Sequence, residues 1–282
     1  MTRFPSVAAL SLALGLIGLA GCENAPSLQL DPLATSGRDG SAPAIKYPAV
    51  MHIADASRAA GEYSNAINLY RHAATMESGK PEPLAAIGDT LLDMGRPDEA
   101  ILNYNAALKI DPNSPTALRG LAKAYLKTGR PDLAANPLAF AYLKTPDDPK
   151  LLLLIGVADD FIGQHANAQI RYQQGLRVAP ADRSLILNFA LSLALSEKFD
   201  QAAAMLRPLA YAPGAMPQER QTLALIYGLK GDQKTARELS RIDLDAESVD
   251  HNIAYYDTLR RLSPDARSRA ILSVSAAARP QS

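Results

Sequence analysis

The chain carries a single thiol. Cys22 follows an uninterrupted run of apolar and small residues from Val7 to Ala20, and Arg3 is the only charged side chain before it. The run is too short to cross a bilayer as a stable helix, which takes about 20 apolar residues. It fits the apolar core of a secretory signal, about 7–15 residues long behind a positive start. Ala20 and Gly21 then supply the narrow side chains that a signal peptidase needs. A thiol in this place suits alkylation, since sulfur is the best nucleophile among the side chains. Other chemistry is sparse. His52, His72, His165 and His251 fall in separate segments with no metal-ligand spacing, so each reads as a solvated or half-buried imidazole. With no second cysteine there is no disulfide framework, cysteine-type zinc site or Cys–His catalysis within the domain. No G-x-S-x-G turn occurs, and Gly79-Lys80 is followed by Pro81, which fails the phosphate-loop pattern. Asp159-Asp160 is the best carboxylate pair, but adjacent helical residues point about 100° apart. The pair reads as a solvated helix face near a turn, or Asp160 as part of a binding groove. No catalytic residue, cofactor or metal is expected.

Leu19-Ala20-Gly21-Cys22 resembles the bacterial lipobox. That resemblance implies a signal peptide over 1–21, cleaved before Cys22, with a diacylglycerol on the thiol and usually an acyl chain on the new amine. Each buried methylene adds about 0.8 kcal/mol to such an anchor. Glu23, rather than aspartate, leans toward the outer membrane. Residues 23–46, rich in Pro, Ser, Gly and Ala, read as a tether that begins with the lipidated Cys22. As a coil it would span about 25–30 Å. Formal charge balances at 29 basic against 29 acidic residues, and removal of Arg3 leaves 28 against 29. No basic field exists to draw nucleic acid.

The elements that position any site come from a repeat. Gly61, Gly95, Gly129, Gly163 and Gly231 stand 34 apart, with one 68-residue step whose missing member is Glu197. Ala66, Ala100, Ala134, Ala168, Ala202 and Ala236 keep every 34-residue step. Pro81, Pro115, Pro149 and Pro217 hold the same beat, and Pro112, Pro146 and Pro180 form a second set. The glycine ends a first helix in a left-handed conformation. The alanine lies where two helices cross closely. The prolines stop one hairpin and start the next, where a missing N–H costs nothing. Tyr70, Tyr104 and Tyr172 stand four residues beyond an alanine, on the same helical face, and fill the space between hairpins.

This pattern resembles the tetratricopeptide repeat (TPR). The units run 47–80, 81–114, 115–148, 149–182, 183–216 and 217 to about 244. The small eighth position is met by Ala54, Gly88, Ala122, Gly156, Ala190 and Ala224. The aromatic eleventh is met by Tyr125 and Tyr227 but not by Ser57, Leu91, Asp159 or Leu193. The fold expected is an all-α TPR solenoid of about six helical hairpins over 47–244, with a C-terminal capping helix over 245–262. Asp243 or Asp245 would cap that helix, and Val249, Ile253, Tyr256 and Leu259 would cover the last repeat. Pro137 and Pro208 should kink second helices or delay their start. The tail over 263–282 is left unassigned, disordered apart from a short helix near 267–274.

The resemblance implies that ligands lie on the concave side, lined by first helices. Asp55, Arg58, Glu82, Ala85, Asp89, Leu92 and Asp93 make one end acidic. Arg119, Lys123 and Lys127 form a basic stripe, suited to carboxylates of a peptide. Lys150, Leu153, Val157, Asp160, Phe161, Leu187, Leu191, Leu195, Gln221 and Leu225 make an apolar end. Residues 184–195 are apolar on nearly every side, so something must cover their groove face: a partner helix, an extended segment or the C-terminal segment. The sum of lipobox, tether, array and final helix resembles the TadD-type lipoproteins of the tight-adherence (Flp) pilus. That implies a lipid-anchored scaffold at the periplasmic face of the outer membrane, a pilotin-like accessory that binds a secretin segment. Alternatives are a type IV pilus pilotin, an outer-membrane protein assembly factor, or a regulator of a peptidoglycan-synthesis enzyme.

Overall fold

The computed structural model describes residues 46–277; Cys22, the signal segment and almost all of the tether lie outside them. Among the described residues every regular element is an α-helix. Six hairpins follow one another. They are α1 (Tyr47–Ala59) with α2 (Tyr63–Met76), α3 (Glu82–Asp93) with α4 (Pro97–Ile110), and α5 (Pro115–Lys127) with α6 (Pro131–Lys144). Then come α7 (Pro149–Phe161) with α8 (His165–Val178), α9 (Arg183–Leu195) with α10 (Phe199–Ala210), and α11 (Pro217–Lys230) with α12 (Gln233–Ser240). Two further helices follow, α13 (Ala246–Arg260) and α14 (Pro264–Ala277). This is the expected TPR solenoid with its capping helix.

The residues behind the repeat do what their types dictate. All six alanines of the 34-residue set are fully buried, because a larger side chain there would wedge the two helices of a hairpin apart. Gly61, Gly95, Gly129, Gly163 and Gly231 have φ between 69° and 96°, the left-handed turn that ends each first helix. Glu197 takes the place of the missing glycine and adopts the same conformation, with φ of 60°. It is the only non-glycine residue among those described with a positive φ. The buried tyrosines sit against small neighbours. A Cβ on Gly88 or Gly120 would fall 2.7 or 2.2 Å from the Tyr104 ring, and one on Gly156 would fall 2.4 Å from that of Tyr172.

Ser114, Asp148 and Asp182 accept hydrogen bonds from backbone N–H groups at the starts of α5, α7 and α9. α6 starts in register and runs through Pro137, and α10 runs through Pro208, so neither proline breaks or delays its helix. Each packs on its first-helix partner and on the next hairpin, and that packing outweighs one lost hydrogen bond. Asp245 caps α13 through the Ser248 N–H, and Val249, Ile253, Tyr256 and Leu259 are buried against the last hairpin, as the sequence predicts. The segment left as an unassigned tail instead forms α14, which turns back from α13 onto α5, α7 and α9.

Candidate binding groove

First helices of successive hairpins touch one another: α3 on α5, α5 on α7, α7 on α9 and α9 on α11. They therefore form the inner wall of the superhelix, the wall on which the sequence places the groove residues. Three stretches differ in chemistry.

The first stretch, on α1 and α3, is acidic and preorganised. An open pocket of about 350 Å³ is lined in part by Asp55, Glu82, Asp89, Asp111 and Arg58. Tyr70 donates its hydroxyl to Asp55 at 2.6 Å, and Tyr104 donates to Asp89 at 2.5 Å. Burial, reinforced by the facing carboxylate, pushes both phenols above their ordinary pKa. Arg58 pairs with Asp93 at 2.7 Å and lies 3.6 Å from Asp89. The inward carboxylates are thus held by tyrosines that also pack the hairpins.

The second stretch is α5. Arg119 pairs with Asp148 at 2.5 Å, so it is committed within the chain. Lys123 and Lys127 are half-buried and form no ion pair or hydrogen bond among the described residues. Burial pushes the Lys123 ammonium below its ordinary pKa, against the pull of Asp89 and Asp93. Lys127 is pushed down to about 8 by burial and by the neighbouring charge of Lys123, with Asp93 opposing. Two adjacent cations are held partly out of water without a partner, in a wall that opens onto the acidic pocket.

The third stretch, α7 and α9, is covered. Leu153, Leu187 and Leu191 are buried and belong to one apolar cluster with Ile271 and Leu272 of α14, and Phe161 packs half-buried at its edge. Asp160, expected to line the groove, does not face it. Asp160 is 4% exposed and accepts from Tyr172 at 2.8 Å and from Ser192 at 2.7 Å. His165 Nδ1 lies 2.7 Å from the same carboxylate. Burial raises the pKa of Asp160, and the three hydrogen bonds oppose that rise. The imidazole reaches on through Nε2 to Ser268 of α14 at 3.2 Å. By residue type this Asp–His–Ser line resembles a nucleophile relay. Ser268, however, is 5% exposed within a helix, and its partner carboxylate is shared with two other hydroxyls, so the line joins α14 to the wall. Next to it, Arg267 donates to the carbonyls of Leu259, Arg260 and Leu262 and to Glu197 at 2.8 Å.

Sequence reasoning missed His165, Arg267, Ser268 and Glu197 as a group. Asp160 and His165 flank one interhelical turn, and Glu197 breaks the glycine beat, so those two signals were present. Nothing in the pattern marks Ser268, which lies 103 residues from its imidazole. Among the described residues no group of three or more His, Cys, Asp or Glu is placed to hold a metal. No described helix is long and apolar enough to cross a membrane.

The chain matches a TPR repeat family profile over residues 88–129. No curated protein matches it by sequence. Among solved structures it is similar to a tetratricopeptide repeat protein from Parabacteroides merdae, with TM-score 0.60 and 14% identity over 77% of this chain and 86% of that one. It is also similar to Pseudomonas aeruginosa pilF, with TM-score 0.61 and 17% identity over 74% and 97%. Against the APC/C hetero-tetramer Cut9–Hcn1 the TM-score is 0.65 at 17% identity, over 73% of this chain and 42% of that one. At these identities the likeness shows the fold. It is a TPR fold, whose domains bind protein or peptide partners and are generally scaffolds rather than enzymes.

Proposed function

We propose that the protein is a lipid-anchored, non-enzymatic scaffold of the bacterial envelope. It captures a protein segment along α1, α3 and α5. Its place is that of a pilotin-like accessory of a Flp pilus machine, with a secretin segment as the partner. The observation that carries the binding reading is the pair Lys123 and Lys127, half-buried and unpaired beside an acidic pocket. A buried charge without a counter-charge is costly. A segment that brings carboxylates to α5 and basic residues to Asp55, Glu82 and Asp111 would satisfy both ends. Such charge order also fixes direction, because a reversed segment would meet like charges. The anchor rests on Leu19-Ala20-Gly21-Cys22, and the tether after it gives the groove reach from the lipid surface.

The test is cross-linking in intact cells, with mass-spectrometric identification of what is joined to α5. Secretin peptides joined near Lys123 and Lys127, and lost on Lys123→Glu with Lys127→Glu, are the expected result. Barrel precursors or wall-synthesis enzymes in their place would discard the pilus assignment and keep the scaffold. A partner set unchanged by the double reversal would remove the groove reading itself.

A further inference from the structure

α14 lies on the groove where the sequence leaves an apolar wall without a cover. Ten of the thirteen residues of α9 are buried, so its groove face needs an occupant. The occupant is an unusual one. Up to Ser273, Ile271 and Leu272 are the only large aliphatic side chains of α14. They are held beside two polar contacts, Ser268 to His165 and Arg267 to Glu197. Arg267, Ser268, Ile271 and Leu272 share one helical face, at spacings of three and four.

Glu197 is the second, independent observation. Five other members of its 34-residue series are glycine in the left-handed conformation, and it alone holds that conformation with a side chain. A non-glycine residue there is strained, and such strain persists where the side chain has work to do. Its carboxylate meets Arg267, which is 7% exposed and also ties α14 to the end of α13. The turn between α13 and α14, residues 261–263, is short and carries the only chain link between them.

We infer that the wall of α7 and α9 is a second docking site, for an amphipathic helix, and that α14 is its exchangeable occupant. The inference rests on the reading of the inner face as a protein-binding groove. The partner it fits is a helix that presents an arginine to Glu197, an adjacent hydroxyl to His165, and two neighbouring aliphatic side chains three to four residues further on. Binding of that helix lifts α14 away about residues 261–263. The groove then has an open charged stretch and a gated apolar one, and the two can be engaged in sequence.

The test uses the full chain and a fluorescent synthetic peptide of residues 264–277. Hydrogen exchange of the unmodified chain comes first. Amides of α14 are expected to exchange about 100-fold faster than those of α9, as for a segment that opens locally. Equal protection of the two helices would overturn exchangeability. Glu197→Gly relieves the turn and removes the anchor. It should leave the melting temperature unchanged or raised and speed α14 exchange about fivefold, whereas peptide affinity should stay the same, because the peptide's own arginine loses the same carboxylate. Unchanged exchange in that variant would refute the role of Glu197 as latch. Ile271→Asp with Leu272→Asp should expose the wall, so that the peptide binds at least tenfold tighter than to the unmodified chain, on the order expected for removal of an intramolecular competitor. Binding no tighter than to the unmodified chain would overturn the site. A scrambled peptide of the same composition should not bind. None of these readouts involves Lys123 or Lys127, so failure here leaves the α5 reading standing.

Discussion

Lys127→Met should make the protein more stable at neutral pH and worse at binding. In the folded chain the ammonium is pushed down to about 8, mainly by burial and then by Lys123. A lowered pKa in a base means that the folded state disfavours the charged form. At pH 7 both folded and unfolded chains carry the proton, and the folded chain bears the full cost of a half-buried, unpaired charge. As pH rises from about 8 to the ordinary lysine value, the unfolded chain holds a proton that the folded chain has released, so unmodified protein gains stability across that window. The displacement sets an upper limit of about 3 kcal/mol, and solvent screening of a half-exposed head reduces it to about 1–2 kcal/mol. Lys127→Met should therefore gain about 1–2 kcal/mol at pH 7 and nothing above pH 10. Urea unfolding followed by far-UV circular dichroism at several pH values reads this directly. An acidic segment bound at α5 would restore the ordinary pKa. Capture of a glutamate-rich peptide by unmodified protein should then weaken about tenfold between pH 7 and pH 9, and fail in the variant. Equal stability of the two chains at pH 7, or an offset that does not change with pH, would refute the reasoning.

Three further outcomes are expected. Asp160→Ala strands the hydroxyls of Tyr172 and Ser192 and the ring of His165, and should cost about 3 kcal/mol in urea unfolding; a loss below about 1 kcal/mol would show that water replaces the carboxylate. Gly120→Ala places a Cβ 2.2 Å from a Tyr104 ring pinned by Asp89, and should cost about 1–3 kcal/mol, an effect that Tyr104→Leu in the same chain should partly relieve. Cys22→Ala should move the protein from the membrane to the soluble fraction of fractionated cells with its melting temperature unchanged; an unaltered membrane fraction would remove the lipid anchor from the proposal.

The hairpin array was legible because its rules are local. Second helices begin at 63, 97, 131, 165, 199 and 233, each 34 after the last, and the alanine, glycine and proline sets mark those steps in the sequence alone. Close helix crossing demands a small side chain, and a left-handed turn favours glycine, wherever the hairpin sits. Position within a repeat suggests which way a first-helix residue points, but not what stands opposite it. Position in the resembled repeat placed Asp160 on the inner wall, but its carboxylate is buried in a network where Tyr172 and His165 converge on it from α8 and Ser192 from α9.

The sequence by itself determined an all-helical solenoid, its register and its capping helix. Those properties depend on side-chain size and spacing within one repeat. Only the tertiary structure decided which charges are already spent. Arg119 is paired with Asp148, Asp160 is buried in a network, and Lys123 and Lys127 form no ion pair or hydrogen bond among the described residues. Only the tertiary structure, again, showed that the wall of α7 and α9 is covered by the chain's own helix α14. Contacts across 70 and 103 residues, Arg267 to Glu197 and Ser268 to His165, leave no periodic trace, because each is made once and between elements that the repeat does not relate.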